Sequence, residues 1–218
     1  MTQVTEHAAI PMGGELRLEV IKRALPQRDL PADINEYRKK NAMNVLSAVP
    51  RLALARALHI PHFYGALYGK VIRGNGRVED LGLLGLKMVT TAGVGFIVDA
   101  FQNIVELEDM KYHGFGSGSG AEATGNTALV TEYTTEYVTN STRPTGTQIE
   151  GAANIYRTVA TFAPDTGGTL AVIEHGIFSA AAVASGVLLD RTVFAAVNLV
   201  AAADSLQVTY DLTLTAGS

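Results

Sequence analysis

The sequence predicts an α+β fold, in which an N-terminal mainly helical and extended region is followed by an antiparallel, jelly-roll-like β-sandwich. Two observations around residue 110 lead to this prediction. Before that point apolar residues recur at helical spacing, and after it they alternate with polar residues as in half-buried strands. Lys and Arg also become rare there, while Thr and Gly become frequent. We therefore expect a flexible arm (1–14), a helical and extended region (15–110) and a β-sandwich domain (111–218).

The helical region is expected to contain four helices, over residues 15–24, 33–48, 50–60 and 91–105. The second begins with a capping-box pattern, in which Asp33 is followed three residues later by Glu36. The fourth is preceded by Thr90 and Thr91, and the hydroxyl of either residue can cap its first turn. Between the third and fourth helices, residues 65–85 are rich in glycine, and we expect turns there.

Alternation of apolar and polar residues is clearest over residues 205–215. Leu206, Val208 and Tyr210 belong to one face and Gln207 to the other, which is typical of an antiparallel strand with one wet side. Weaker patterns of the same kind predict strands over residues 128–138, 154–162, 170–175 and 192–199. Five or six short strands separated by turn-forming residues are typical of a β-sandwich.

Composition and charge restrict the possible functions. The chain has no cysteine, which excludes disulfides, thiolate metal sites and cysteine nucleophiles. The N-terminus lacks the pattern of a signal peptide, and no apolar run approaches the roughly 20 residues of a membrane helix, so we expect a soluble protein made in the cytoplasm without a membrane partner. Residues 1–87 are basic (+5) and residues 88–218 acidic (−9). The basic part can face an acidic partner, nucleic acid or the acidic part of a neighbouring copy.

Alternating glycines are the most unusual local feature, in the segment HGFGSGSGAEATGNTALVTE (113–132). They are Gly114, Gly116, Gly118 and Gly120. A dinucleotide-binding loop requires a helix after such a motif, whereas a strand is expected here. A nucleophile elbow requires serine at the centre, where this sequence has glycine. Because alternate glycines leave one face of the backbone bare, we predict that these four positions serve close packing or assembly.

No other group of residues specifies a reaction. The five histidines lack neighbours with metal-ligand spacing, so no metal site is predicted. Glu106, Glu108 and Asp109 form an acidic patch, which is ordinary after a helix. The basic run at residues 38–40 is explained by a solvated helix face, and nucleic acid is not expected as a partner. We predict no catalytic residue, no cofactor and no enzymatic activity.

Four segments, in this order along the chain, resemble known proteins. They are VTTAGVGFIVDAFQNIVELEDMKYHGFGSGSGAEATGNTALVTE (89–132), RPTGTQIEGAANIYRTVATF (143–162), VIEHGIFSA (172–180) and LLDRTVFAAVNLVAAADSLQVTYDLTLTAG (188–217). Together they resemble a family of structural proteins of tailed bacteriophages. This resemblance implies a virion component without enzymatic activity, and it identifies no functional residue.

From the resemblance and the two-region plan we expect a capsid cement or decoration protein that bridges and stabilises major capsid subunits. Its partners are then the phage major capsid protein and copies of itself in a homo-oligomer. Its location is the virion, assembled in the host cytoplasm. Two alternatives remain open: a neck, tail or fibre-base component, and a carbohydrate-binding adhesin module that would use exposed aromatic side chains.

Overall fold

The computed structural model describes residues 32–46, 49–87 and 89–216, so the predicted arm and the predicted helix over 15–24 lie outside the described residues. The helices in the described part are α1 (Ala32–Leu46), α2 (Val49–Ala57) and α3 (Thr91–Phe101), with a 3₁₀ turn at Leu107–Asp109. The strands there are β1 (His62–Ile72), β2 (Val78–Lys87), β3 (Tyr112–Gly116), β4 (Thr147–Ala152), β5 (Ile155–Phe162), β6 (Thr169–Phe178), β7 (Leu188–Val200) and β8 (Ser205–Thr215).

Two antiparallel sheets share a hydrophobic core. The larger sheet has the strand order β2-β1-β8-β5-β4, and the smaller sheet has the order β3-β6-β7. Buried apolar side chains of both sheets belong to one cluster, with Leu67 and Tyr210 from the larger sheet and Phe115 and Val172 from the smaller. The prediction of an α+β fold with a β-sandwich-like arrangement is confirmed.

Most strand predictions in the second half of the chain are confirmed. β8 occupies the predicted range 205–215, and β5, β6 and β7 overlap the other three predicted segments after residue 150. The strand predicted over 128–138 is wrong, because that segment is irregular apart from a single bridge between Glu132 and Gly116. The backbone N–H groups of Val130 and Thr131 donate to a side chain instead of a strand.

The expectation of turns over residues 65–85 holds only at residues 73–77, where the N–H of Gly76 donates to the Arg73 carbonyl at 2.8 Å, and the rest of this segment forms the hairpin of β1 and β2. β1 pairs with β8 along its whole length, from His62 to Ile72. The sandwich therefore begins at His62, and residues 62–87 belong to it instead of to a separate helical region. The glycines of β1 mark close approaches to the core: a Cβ atom at Gly69 would lie 2.7 Å from Leu84 Cδ1.

The helices α1, α2 and α3 confirm three of the four helix predictions. Thr90 is the N-cap of α3, and its hydroxyl oxygen accepts a hydrogen bond from the N–H of Gly93 at 2.9 Å. α3 ends at Phe101, before the predicted end at Val105. Asn103 follows with a φ of 58°, a left-handed conformation that asparagine tolerates and that ends a helix.

Helix α1 covers the seam between the sheets by packing on β2 and β7, which are edge strands. The Asn41 side chain donates to the Leu83 carbonyl in β2 at 3.0 Å and accepts from the Ala195 N–H in β7 at 3.1 Å. The Tyr37 hydroxyl donates to the Ala195 carbonyl at 2.8 Å. α1 therefore satisfies backbone groups that two sheet edges would otherwise expose.

Candidate interaction surface

The predicted packing or assembly positions lie in β3 and directly after it, at Gly114, Gly116, Gly118 and Gly120. Residues 129–132 of the same chain lie against them. A Cβ atom at Gly118 would be 2.7 Å from Val130 Cβ, whereas one at Gly120 would be an ordinary 3.5 Å from Val130 Cγ2. The bare backbone face is thus occupied within the chain, and a role of these glycines in assembly stays a prediction.

The buried carboxylate of Glu174 in β6 holds this packing together. Its Oε1 accepts from the N–H groups of Gly118 and Thr131 at 3.1 and 2.7 Å, and its Oε2 accepts from that of Val130 at 3.0 Å. Nε and Nη2 of Arg191 lie 2.8 and 2.7 Å from Oε2. The carboxylate thus takes the place of a neighbouring strand. This role was not predicted from the sequence, although a charged residue inside the apolar run VIEHGIF is a signal for it.

A second ion pair joins Glu132 to Arg143 beside the same segment. The two carboxylate oxygens of Glu132 lie 2.6 and 2.9 Å from Nε and Nη2 of Arg143. The guanidinium lies over the ring of Phe178, 3.5 Å from its centroid, and Nη1 donates to the Ala180 carbonyl at 2.8 Å. Arg143 therefore fixes the loop after β6 against residues 129–132.

His113 and His175 form a buried pair. His113 Nδ1 lies 2.9 Å from His175 Nε2, and His113 Nε2 lies 3.1 Å from the Thr158 hydroxyl. Burial lowers the pKa of His113 to about 3, and burial, together with the nearby His113, lowers the pKa of His175 well below 6.5. Both rings are therefore neutral at pH 7. In the described part of the chain, no group of three His, Cys, Asp or Glu side chains is placed to hold a metal ion.

Asp190 in β7 carries a carboxyl group that is enclosed by the sandwich. The Tyr210 hydroxyl, from the opposite sheet, donates to its Oδ2 at 3.2 Å. Burial raises the pKa of Asp190 to about 7, and the hydrogen bond from Tyr210 opposes this increase. The pair links the two sheets, and Gly65 leaves room for it, since a Cβ atom there would lie 2.6 Å from the Tyr210 hydroxyl.

The basic run at residues 38–40 is only partly a solvated helix face. Lys39 and Lys40 are exposed, whereas Arg38 is buried and donates to the Asp80 carbonyl near the start of β2. Most aromatic side chains of the sandwich lie in the core instead of on an exposed stacking surface. The buried ones are Phe115, Phe162, Phe178, Phe194, Tyr133, Tyr137 and Tyr210.

An apolar groove opens beside the end of α3, with a volume of about 380 Å³. Its lining residues are Phe63, Ile97, Phe101, Leu107, Glu108, Met110, Gln148, Tyr156, Leu189, Leu212 and Leu214. At its mouth Phe101 is 77% exposed, and Ile104 close by in the chain is 65% exposed. The predicted acidic patch borders this groove, because Glu108 lines it and Glu106 and Asp109 adjoin lining residues. Exposed apolar surface of this kind is typical of a binding site.

Helix α2 is a second exposed apolar surface. Leu54 and Leu58 are 60% and 57% exposed, and no residue of this helix is buried. Arg51 and Arg56 are exposed on the same helix. The chain leads from α2 directly into β1, whose residue Phe63 lines the groove. The helix and the groove are therefore close to the same end of the sandwich.

Strand β4 provides a third exposed feature, an open sheet edge. α1 packs on β2 and β7, and residues 129–132 lie along β3. Among the described residues, no segment pairs with the outer edge of β4. Ile149 in β4 is exposed as well. An uncovered edge of this kind is available for pairing with another chain.

Comparison of the chain with protein-family models and with curated proteins gives no match in either case. Of the helices in the described part of the chain, none has the length and apolar character that crossing a membrane requires. The exposed features of the described residues are the groove, helix α2 and the β4 edge.

Proposed function

We propose that this protein is a non-enzymatic structural component of a tailed-phage virion, a cement or decoration protein that bridges and stabilises major capsid subunits. Its partners are the phage major capsid protein and copies of itself, and it acts in the virion without a cofactor. The resemblance over residues 89–217 supplies the class of protein. The observation that carries the binding role is the exposed apolar end of the sandwich, formed by α2, the groove and the end of α3.

Exposed apolar side chains favour a binding role because covering them releases free energy. Each Å² of apolar surface removed from water contributes about 25 cal/mol. The groove, helix α2 and the β4 edge offer separate contacts on one chain. When several weak contacts are made to neighbouring subunits of one shell, each raises the effective concentration of the others.

The buried polar groups support a structural role. The carboxylate of Glu174 holds backbone N–H groups and Arg191, and the ring of His113 contacts His175. These contacts tie loops and strands to one another inside the sandwich. Such ties favour a rigid module that withstands mechanical load on a shell.

Capsids that lack the protein provide the test. Purified protein is added to them, binding is measured by co-sedimentation, and the rupture temperature is measured by light scattering during heating. We expect saturable binding and a higher rupture temperature. A Phe101→Asn variant should bind at least tenfold more weakly, whereas Val138→Asn, at an exposed valine that does not line the groove, should bind normally. An unchanged rupture temperature at saturating protein would contradict the proposal.

A further inference from the structure

Two exposed apolar surfaces of this chain carry opposite charge. The first is helix α2 and the residues after it, where Leu54, Leu58 and Ile60 are exposed. Its charged residues are Arg51 and Arg56, and the sequence has no Asp or Glu between Glu36 and Glu79. This surface, which we name the basic helix, combines apolar side chains with positive charge only.

The second surface is the groove beside α3, which we name the acidic groove. Phe101 and Leu107 line it and are exposed. Glu108 lines it as well, Glu106 and Asp109 adjoin lining residues, and the sequence from residue 88 to residue 110 has no Lys or Arg. Apolar lining with negative charge at the rim complements the basic helix in both respects.

The charges of these two surfaces have no ion-pair partner within the described residues. Arg51 and Arg56 make no salt bridge there, and neither do Glu106, Glu108 and Asp109 beside the acidic groove. By contrast, Glu132 and Glu174 in the sandwich are each paired with an arginine. No residue of α2 lines the groove of its own chain.

We propose that the basic helix of one copy packs into the acidic groove of a second copy. This is the helix-in-groove mode of recognition, in which leucines at helical spacing enter an apolar cleft and charges at its rim fix the orientation. Leu58 directly follows α2, and its N–H donates to the Leu54 carbonyl at 3.0 Å, so the last helical turn continues through it and the two leucines lie on the same side. Because the helix and the groove are near the same end of the sandwich, two copies can exchange helices reciprocally in a closed, two-fold contact.

Self-association is measured on the purified full chain alone and does not depend on the proposed place in a virion. A dimer occupies helix α2 and the groove, so its copies contact the capsid through the β4 edge, and the Phe101→Asn change weakens capsid binding by separating them. Sedimentation velocity over a range of concentrations should show a dimer that weakens as salt is added. The double variant Arg51→Glu/Arg56→Glu, and separately Glu106→Lys/Glu108→Lys, should each weaken self-association at least tenfold. All four positions are exposed, and circular dichroism verifies that each variant stays folded.

Mixing the two charge-reversed variants tests whether the helix and the groove contact each other directly. Each heterodimer then keeps one original helix–groove contact, and at the other the reversed helix meets the groove in which Glu106 and Glu108 are reversed, so association should return to within about threefold of the original protein. A concentration-independent monomer for the original protein would overturn the proposal. So would dimers that neither reversal weakens, or reversed variants whose mixture stays monomeric.

Because the chain has no cysteine, single engineered thiols locate the contact. A Leu58→Cys chain mixed with a Phe101→Cys chain should form a disulfide-linked heterodimer under mild oxidation. A Leu58→Cys chain mixed with a Val138→Cys chain serves as the control, since Val138 is exposed but does not line the groove. Equal cross-linking in the two mixtures would contradict the assigned contact and leave the groove to another occupant, such as the capsid or a small apolar ligand.

Discussion

Glu174 in β6 and Arg191 in β7 form an ion pair that is closed off from water. Their Oε2 and Nη2 atoms are 2.7 Å apart, and the two side chains are 0% and 1% exposed. The same carboxylate accepts hydrogen bonds from the backbone of two irregular segments, at Gly118 and at Val130 and Thr131. One buried charge pair thus fixes both the glycine-rich segment and the loop that lies on it.

A Glu174→Gln change should lower the free energy of unfolding by about 3–5 kcal/mol, because it leaves the buried guanidinium of Arg191 without a counter-charge. Urea unfolding followed by circular dichroism measures the change. The control is Glu36→Gln in the exposed Glu36–Lys40 pair, for which we expect a loss of about 0.5 kcal/mol or less. Equal effects of the two substitutions would show that burial of the first pair is irrelevant to stability.

Two neighbouring glycines should respond differently to the same substitution. Gly118→Ala should destabilise the fold by about 1–3 kcal/mol, because its Cβ would be 2.7 Å from Val130 Cβ and would overlap the Glu174 carboxylate. Gly120→Ala meets only an ordinary contact at 3.5 Å and should change stability by less than about 1 kcal/mol. Thermal unfolding of both variants is the measurement. The packing account fails if Gly118→Ala is tolerated as well as Gly120→Ala.

The buried histidine pair should make the protein sensitive to mild acid. The pKa of His113 is about 3 in the folded protein and 6.5 in the unfolded chain. Between these pH values His113 is protonated in the unfolded chain and neutral in the folded protein. Stability is therefore lost as the pH falls. As the pH falls from 6.5 to 5, the free energy of unfolding of a His113→Gln variant should rise relative to that of the original protein by up to about 1.4 kcal/mol per pH unit. A stability difference that stays constant across this range would contradict the assignment.

Asp190 should have the opposite effect on pH dependence. Its pKa of about 7 in the fold exceeds the usual 3.8, so the fold holds a proton that the unfolded chain loses as the pH rises between these values. This contribution to stability is lost by about pH 7. As the pH rises from 4 to 7, the free energy of unfolding of an Asp190→Asn variant should therefore increase relative to that of the original protein. At higher pH the difference between the two proteins should stay constant. Chemical unfolding at several pH values measures the difference, and a difference that stays constant from pH 4 to pH 7 would contradict the assignment.

Sequence patterns predicted the elements whose two faces differ in polarity. β8 was predicted over its full length because Leu206, Val208 and Tyr210 all face the core. The sequence does not predict β1, because glycines such as Gly65 and Gly69 are typical of turns. These glycines are instead required where the core side chains of Tyr210 and Leu84 cross the strand, a long-range contact that local patterns do not reveal.

The candidate surfaces were predicted less completely. The acidic patch and the basic front half were both visible in the sequence as runs of charge. The groove was not, because it joins side chains from α3, β1 and β8 that are distant in the chain. The strand predicted over 128–138 failed for a similar reason, since Glu174, more than forty residues further along, satisfies its backbone.

The copy number of the protein in purified virions tests the proposed function most directly. Quantitative mass spectrometry gives this number relative to the major capsid protein. A cement or decoration protein predicts a ratio close to a simple fraction of the capsid subunits, with many copies in each particle. A ratio of only a few copies per particle would contradict the cement function and place the protein at the neck or tail, and absence from virions would contradict a structural role altogether.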